Sequence, residues 1–328
     1  MPYSAEVLSR ARAQLAEAKR ESEAEHNRRV SECYARFPRL KEIETELRAT
    51  MAETMAACFS KNGDVQAAIA SVREKNLALQ HEREWILEAA DLGADYLDDR
   101  PVCPTCGGTG YVGEKMCSCL SELCRREQKK ELSSLLGGQE SFEHFDLNYY
   151  SDQPDPAYGI SPRENMRQVE KLARSYAKNF RPGQSGSLLF SGGTGLGKTF
   201  LSACIARSVA DGGASVVYET AVRIFADFEA EKFGSDRSRP TEKYLQCDLL
   251  IIDDLGTEMT TQFTQSALYT LLNTRLMDHR ATLVSTNLSM QDIRARYTPQ
   301  IVSRLMGTFD DVYFFGQDIR VLKKRAAY

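Results

Sequence analysis

The stretch Gly192-Gly193-Thr194-Gly195-Leu196-Gly197-Lys198-Thr199 matches the phosphate-loop pattern G-x-x-x-x-G-K-[ST] in full. A short apolar run at 187–192 precedes it and predicts a strand, and the residues 199–213 that follow have a helical pattern. The glycines allow backbone N–H groups to cradle phosphates, and the helix presents its positive end to them. We therefore predict an ATP site in which Lys198 neutralises the β- and γ-phosphates and Thr199 offers its hydroxyl to Mg²⁺.

Apolar runs continue to alternate with helical patterns after this loop. The predicted strands are 187–192, 215–220, 248–256, 282–287 and 310–316. The helical patterns between them are 199–213, 222–233 and 264–279. Such alternation predicts an α/β fold with a parallel sheet covered on both faces and a ligand at the carboxyl ends of its strands.

Polar residues end two of these strands. The buried run that begins at Leu249 ends in Asp253 and Asp254, about where the phosphates would lie. Asp253 is the natural outer partner of Mg²⁺, and Asp254 is the candidate for polarising the attacking water. Asn287 closes the next strand and could place an amide beside the γ-phosphate, although an Asn after a strand is commonly part of a turn.

Four cysteines form the pattern Cys103-x2-Cys106-x10-Cys117-x1-Cys119, with glycines between them for tight turns. Four thiolates suit a tetrahedral Zn²⁺, which we expect to be structural because no fifth ligand or base lies nearby. An iron–sulfur cluster and disulfides are the alternatives, and Cys124 could replace Cys119. The other cysteines, which lie in helical or strand patterns, are expected in cores: Cys33, Cys58, Cys204 and Cys247.

The region from Ala5 to about Leu97 is dense in helix formers, with Pro38 as its one proline. Apolar residues recur at helical spacing on both sides of a break at Asn62-Gly63. We expect two long helices that fold back as an antiparallel hairpin and form an arm for a partner protein. The apolar stripes are Leu40, Ile43, Leu47, Met51 and Met55, then Val65, Ile69, Val72, Leu79 and Ile86.

The length of 328 residues fits two packed units, or one unit with an attached extension. The composition has 42 Lys+Arg against 46 Asp+Glu. The net charge of −4 argues against a globally basic nucleic-acid coat protein, although local basic faces stay possible. Neither an export signal nor a membrane span is evident, so we expect a cytoplasmic protein with reduced cysteines. The predicted divisions are a helical partner-binding region at 1–99, a zinc module at 100–124, a linker with helical entry at 125–184 and an ATPase domain at 185–328.

Four segments together carry a family resemblance: GGTGLGKT, LLIIDDLGTE, STNLS, and SRLMG after YTPQIV. They resemble the AAA+ ATPases of the bacterial helicase loader group, of the DnaC/DnaI type. The cysteine pattern that precedes the ATPase segments is similar to the one found in the DnaI branch of this group. The resemblance implies ATP-controlled delivery of a hexameric replicative helicase, held through the N-terminal region, to single-stranded DNA.

The same resemblance assigns further roles. Arg304 would be the arginine finger that acts on a neighbouring subunit, with Arg296 as the competing candidate, and Asn287 the sensor. An ATPase without a C-terminal helical lid is implied, with Arg320 near the nucleotide. Many AAA+ proteins carry Glu where this chain has Asp254, and the shorter side chain suggests slow, switch-like turnover.

Contacts with single-stranded DNA are implied for Lys232, Phe233 and Phe263, since stacking aromatics beside a cation are what such binding requires. Aromatic residues such as these two phenylalanines are more often buried in a core, and this is the competing interpretation. Two other functions share the phosphate loop. One is an IstB-type transposition ATPase that acts with a transposase on duplex DNA, and the other is a small-molecule kinase, for which we find no lid.

Overall fold

The computed structural model describes residues 3–59, 65–135, 140–234 and 240–326 of the chain. The chain divides into two units. The helical unit is Ala13–Cys119, and the sheet unit combines Met1–Arg12 with Leu120–Tyr328. The first twelve residues thus belong to the unit that contains the phosphate loop, whereas the sequence placed them with the N-terminal helices. The functional divisions at residues 99, 124 and 184 stay predictions.

Among the residues that the structure describes, three helices precede the four-cysteine cluster, where the sequence predicted two. They are α1 (Ala5–Arg36), α2 (Pro38–Phe59) and α3 (Val65–Ala89). Pro38 explains the additional break, because a proline disfavours helical backbone at the residue before it and is well suited to begin a helix. A single helix through this proline was therefore the wrong expectation.

Helices α2 and α3 form an antiparallel hairpin within the helical unit, as predicted. Arg39 near the start of α2 pairs with Glu82 near the end of α3 at 2.7 Å. Further along α2, the hydroxyl of Thr50 donates to the side-chain oxygen of Asn76 at 2.6 Å. Buried stripe residues form the seam: Leu40, Ile43 and Leu79. Ile69 departs from the prediction because it is exposed, while Asn62-Gly63 and the side chains of Met51, Met55, Cys58 and Val65 lie outside the described residues.

A small antiparallel hairpin lies among the cysteines and was not predicted. Its strands are β1 (Tyr111–Val112) and β2 (Lys115–Met116). The amide of Cys117 donates to the carbonyl of Gly110 at 2.8 Å and closes the hairpin. The turn brings the second cysteine pair back toward the first.

In its described part, the sheet unit contains five parallel strands in the order β4-β5-β6-β3-β7. Their bounds are β3 Ser187–Gly192, β4 Val216–Thr220, β5 Leu249–Leu255, β6 Ala281–Thr286 and β7 Phe309–Phe314. The predicted parallel sheet is confirmed, with every predicted strand present. The strand that precedes the phosphate loop, β3, lies inside the sheet between β6 and β7.

Both faces of the sheet carry apolar residues, and helices pack against both of them. The helices of this unit are α4 Ser118–Leu135, α5 Pro162–Lys178, α6 Lys198–Asp211, α7 Ala221–Phe233, α8 Glu242–Gln246, α9 Gln262–Met277, α10 Met290–Arg296, α11 Pro299–Thr308 and α12 Ile319–Ala326. One core includes Phe190 and Ile251 with α5 and α6, and the other includes Leu189 and Ile252 with α7, α9 and α11. Alternation along each strand therefore fills two cores, as the sequence predicted.

Helix α4 covers the edge of the sheet at β4. The side-chain amide of Gln128 donates to the carbonyl of Ala214 and accepts from the amide of Val216, each at 3.1 Å. Gln128 therefore pairs with the edge strand much as another strand would. Tyr3 and Val7, from the first residues of the chain, are buried in the same unit.

No helix among the described residues is both long enough and apolar enough to cross a bilayer.

Candidate nucleotide site and cysteine cluster

The phosphate loop joins the end of β3 to the start of α6. Gly195 and Gly197 have φ angles of 70° and 95°, which L side chains rarely adopt. A Cβ atom on Gly195 would lie 1.9 Å from the carboxylate of Asp318, and one on Gly197 would lie 2.8 Å from the hydroxyl of Tyr150. Both glycines are therefore required by the backbone conformation and by close neighbours.

Lys198 is buried at the carboxyl end of the sheet. Its ammonium donates to the carbonyls of Gly192 at 2.7 Å and Gly193 at 2.6 Å. A third bond, of 2.6 Å, reaches the side-chain oxygen of Asn287 after β6. Burial lowers the pKa of Lys198 to about 8. The cation predicted for the phosphates thus contacts both the loop and the residue predicted as the sensor.

Asp253 is buried, with three hydroxyl groups around its carboxylate. The hydroxyl of Thr199 lies 3.4 Å from Oδ1, and the phenol of Tyr218 donates to Oδ2 at 2.8 Å. Ser285 on β6 also donates to Oδ1. The structure brings together the two residues predicted to accompany Mg²⁺, Thr199 and Asp253. Tyr218 and Ser285 are not predicted from the sequence, because a hydroxyl inside a strand carries no motif.

Asp254 has an unusual backbone conformation, with φ at 55°. The pairing of β5 with β6 is interrupted between Ile252 and Leu255, and the amide of Asp254 donates to the hydroxyl of Ser285 at 2.9 Å. The side chain of Asn287 donates to Asp254 Oδ1 at 3.3 Å. Burial, together with the neighbouring charge of Asp253, raises the pKa of Asp254.

A cavity of about 630 Å³ lies beside the loop and contains these groups. Aromatic residues that the sequence analysis did not single out also line it: Phe145, Tyr149, Tyr150 and Phe200. They come from the segment before α5 and from α6, so no local pattern marks them as neighbours of the loop. The cavity therefore combines charged groups from the carboxyl end of the sheet with aromatic rings.

Helix α12 supplies two cations to this cavity. Its first amide, that of Ile319, donates to the carbonyl of Gly195 at 3.0 Å. Arg320 and Lys323 both line the cavity, and the ammonium of Lys323 lies 4.7 Å from the centre of the Tyr149 ring. The expectation that Arg320 lies near the nucleotide site agrees with this position.

The two candidate arginine fingers lie away from the cavity lining, on α11 and at the end of α10. The guanidinium of Arg304 donates to the side-chain oxygen of Asn273 at 2.9 and 3.2 Å. Arg296 donates to the backbone carbonyl of Glu258, and its Nε lies 3.9 Å from the carboxylate of that buried residue. Arg296 is therefore held by an acid of its own chain, whereas Arg304 is held by a neutral amide.

The three residues predicted to contact single-stranded DNA form one cluster. The rings of Phe233 and Phe263 are 5.7 Å apart, and the ammonium of Lys232 lies 5.2 and 4.8 Å from their centres. Phe233 is 70% exposed, so it is not a core residue. This aromatic surface, with its adjacent cation, has the groups on which nucleobases stack.

The four predicted metal ligands form a compact cluster in the helical unit. The sulfurs of Cys103 and Cys117 are 3.7 Å apart, those of Cys106 and Cys119 are 3.5 Å apart, and all four lie within 4.8 Å of one another. Zn–S bonds of about 2.3 Å in a tetrahedron separate sulfurs by roughly 3.8 Å. The cluster could therefore hold a tetrahedral metal ion. Backbone N–H groups lower the pKa of the Cys103 thiol, which favours the thiolate that a metal requires.

The other described cysteines are buried, as predicted. Cys124 is not part of the cluster, and burial raises the pKa of its thiol to about 11. The alternative in which it replaces Cys119 is therefore not the arrangement found. Cys33, Cys204 and Cys247 are also buried.

Residues 125–321 match the family model described as IstB-like ATP binding protein. This range covers more than half of the chain and includes the phosphate loop, the acid pair and both candidate fingers.

Curated relatives and solved structures show similarity over shorter shares. The chain is 31% identical over 144 residues to the chromosomal replication initiator protein DnaA of Aliarcobacter butzleri, which is 42% of this chain and 31% of that protein. It is 25% identical over 150 residues to the replicative helicase loader DnaC of Escherichia coli K12, which is 45% of this chain and 60% of that protein. The chain thus spans less than two thirds of either relative. A crystal structure of the DnaC helicase loader aligns with a TM-score of 0.45 and 17% identity, covering 53% of this chain and 98% of that one.

Proposed function

We propose that this chain, which belongs to the family of IstB-like ATP-binding proteins, is an ATP-switched loader that delivers a hexameric replicative helicase to single-stranded DNA. The family supports ATP binding and ATPase activity in general, with Mg²⁺ accompanying the nucleotide. Similarity to curated replicative helicase loaders supports the loading role. The observation that carries the nucleotide chemistry is the convergence of Lys198, the acid pair and Asn287 at one end of the sheet.

In the proposed site, the loop residues Gly192 to Thr199 surround the phosphates with backbone N–H groups, and Lys198 neutralises their charge. Thr199 and Asp253 hold Mg²⁺, which supplies positive charge at the phosphate oxygens when it is bound. Phe145 and Tyr149, which line the cavity, are proposed to contact the base, and Arg320, which also lines it, is proposed as a further cation for the phosphates.

Asp254 is the proposed group that polarises the attacking water, and Asn287 is the proposed sensor that positions it. Burial disfavours the ionised form of Asp254, and its hydrogen bond from Asn287 favours that form. Together with the short side chain of an aspartate, this supports the slow turnover expected of a switch.

Arg304 is the proposed arginine finger, and it acts on nucleotide held by a neighbouring copy of the chain. Its support is its partner: Asn273 is neutral and can release the guanidinium without leaving an unpaired charge behind. Arg296 is the poorer candidate, because its departure would leave the buried carboxylate of Glu258 without its nearby cation.

The N-terminal region is proposed to hold the helicase, with the α2–α3 hairpin as the extended surface. The four-cysteine cluster is proposed to bind Zn²⁺ and to stabilise the segment around β1 and β2, which has too few apolar residues for a core of its own.

For the sheet unit, the cluster of Lys232, Phe233 and Phe263 is the proposed contact with single-stranded DNA, because it presents an exposed ring beside a cation.

The alternative is an IstB-type transposition ATPase, which the family match favours as directly as it favours a loader. Affinity capture of the intact chain from its own cell extract, with ATP and then with ADP, distinguishes the two. Mass spectrometry that finds the replicative helicase in amounts that change with the nucleotide supports the loader. Recovery of a transposase, or of duplex DNA without helicase, supports the transposition ATPase instead.

A further inference from the structure

Three neighbouring strands place one polar side chain each in a row at the carboxyl end of the sheet. Tyr218 lies on β4, Asp253 on β5 and Ser285 on β6, and all three are buried. They lie on the face covered by α6, because Tyr218 belongs to the core that contains Ile251 and the residues of α6. The row therefore passes directly beside the end of the phosphate loop.

The two outer members of the row hold the two oxygens of the central carboxylate. Tyr218 donates to Oδ2 at 2.8 Å, and Ser285 donates to Oδ1. Thr199 lies 3.4 Å from Oδ1, so the carboxylate is directed toward the residue that begins α6. Hydrogen bonds to both oxygens fix the rotation of a carboxylate as well as its position.

Ser285 also fixes the backbone beside Asp253. The register of the ladder between β5 and β6 shifts between Ile252 and Leu255, the segment that contains Asp254. The hydroxyl of Ser285 accepts from the amide of Asp254 at 2.9 Å. A single side chain thus sets the orientation of one acid and the backbone position of the next.

A buried phenol needs an acceptor, and two other tyrosines of this unit also donate to carboxylates. Tyr244 donates to Asp227 at 2.6 Å, and Tyr297 donates to Glu258. Neither of those acids lines the cavity, whereas both Tyr218 and Asp253 do. Burial and the charge of Asp253 raise the pKa of Tyr218, so its phenol stays protonated and remains the donor.

We propose that Tyr218 and Ser285 are positioning residues, which hold the carboxylate of Asp253 toward Thr199 and thereby set the affinity of the site for the Mg²⁺ that accompanies ATP. This inference rests on the proposed nucleotide function. Groups that orient a metal ligand commonly change metal affinity about 10- to 100-fold when they are removed.

The test compares Tyr218→Phe with Tyr244→Phe in the full chain, because each substitution removes one phenol hydroxyl that donates to a carboxylate. Mg²⁺ is titrated at a fixed concentration of a fluorescent N-methylanthraniloyl derivative of ATP, and binding is followed by fluorescence. The half-saturating Mg²⁺ concentration is expected to rise about tenfold or more in Tyr218→Phe and to stay unchanged in Tyr244→Phe. Nucleotide affinity in EDTA should be the same in both variants.

A second pair of variants tests the other end of the row. Ser285→Ala is expected to raise the Mg²⁺ requirement in the same direction, and Ser285→Thr, which keeps the hydroxyl, should restore most of it. An unchanged Mg²⁺ requirement in both Tyr218→Phe and Ser285→Ala would overturn the inference while leaving the nucleotide site intact. A wild-type chain that binds no nucleotide at any Mg²⁺ concentration would overturn the proposed function and this inference together.

Discussion

The ammonium of Lys198 and the side-chain oxygen of Asn287 are joined by a hydrogen bond of 2.6 Å. This bond connects the phosphate loop to the end of β6, two positions that lie 89 residues apart in the chain. In the proposed site, a phosphate that attracts the lysine would compete with this bond, which would couple nucleotide binding to the position of Asn287.

Lys198→Ala is expected to weaken ATP binding by on the order of 100-fold, because the phosphates lose their buried cation. Zinc content should be unchanged, since the cysteines belong to the other unit. Isothermal titration with ATP measures the effect, and Lys178→Ala, which removes an exposed lysine of α5, is the control. Normal ATP affinity in Lys198→Ala would contradict the phosphate-loop assignment.

ATP affinity is expected to fall as the pH rises above 8. The pKa of Lys198 is lowered to about 8 in the free protein, so the cation is present below this pH and is lost above it. Because a bound phosphate favours the charged form of Lys198, ATP binding takes up a proton at higher pH. The affinity for ATP should therefore decrease by up to about tenfold per pH unit above 8. Titrations from pH 7 to pH 9 in buffers of different ionisation enthalpy measure both the affinity and the proton uptake. A flat profile without proton uptake would argue against the lowered pKa.

Asp254→Asn is expected to slow ATP hydrolysis by about 100-fold or more, because the amide cannot polarise water as a carboxylate does. Nucleotide affinity should change little, and the free energy of unfolding should not decrease, since burial disfavours the charge that is removed. Single-turnover hydrolysis and thermal melting check the two parts. Unchanged hydrolysis would move the catalytic role to another residue of the cavity.

Cys106→Ser is expected to lose the bound metal, because three thiolates and a hydroxyl hold Zn²⁺ much more weakly than four thiolates. Cys33→Ala is the control, since Cys33 is buried in the same unit but lies outside the cluster. That variant should keep the metal and lose about 1 kcal/mol of stability. Zinc is measured by inductively coupled plasma mass spectrometry, and full occupancy in Cys106→Ser would contradict the four-thiolate site.

Phe233→Ala is expected to lower affinity for single-stranded DNA by about 1–3 kcal/mol, the usual contribution of one stacking ring. Tyr158→Ala removes another exposed aromatic ring of the same unit and should have little effect. Fluorescence anisotropy with a labelled oligonucleotide, in the presence of ATP, measures both variants at one fixed salt concentration. Equal losses in the two would indicate that the cluster is not the DNA contact.

Arg304→Ala is expected to leave ATP binding unchanged and to abolish any stimulation of hydrolysis on self-assembly. Arg296→Ala should instead lower the melting temperature, because Glu258 is buried and loses its nearby cation. ATPase rates over a range of protein concentrations, together with melting curves, distinguish the two. A concentration-dependent rate that survives in Arg304→Ala but not in Arg296→Ala would reverse the assignment.

The sequence predicted the sheet well because its strands are apolar runs at regular intervals, and parallel strands must meet at one edge. The same logic predicts that Lys198, Asp253 and Asn287 lie together at this edge. The long helical pattern around Pro38 does not predict the break, because the break comes from a local effect of the proline on the residue before it. Tyr218 could not be found from sequence, because its role depends on a neighbouring strand that is 35 residues away.

The pairing of Gln128 with the backbone of β4 has a practical consequence for protein production. A fragment that begins after α4 would present the amides and carbonyls of β4 as a free strand edge, to which a second molecule can add by β-pairing. Such a fragment is expected to form soluble oligomers or to precipitate, even though it would contain the whole phosphate loop. Removal of the first twelve residues would also expose the apolar surface that Tyr3 and Val7 cover. Because Tyr3 is buried, an N-terminal tag is better attached through a spacer than fused directly beside this residue.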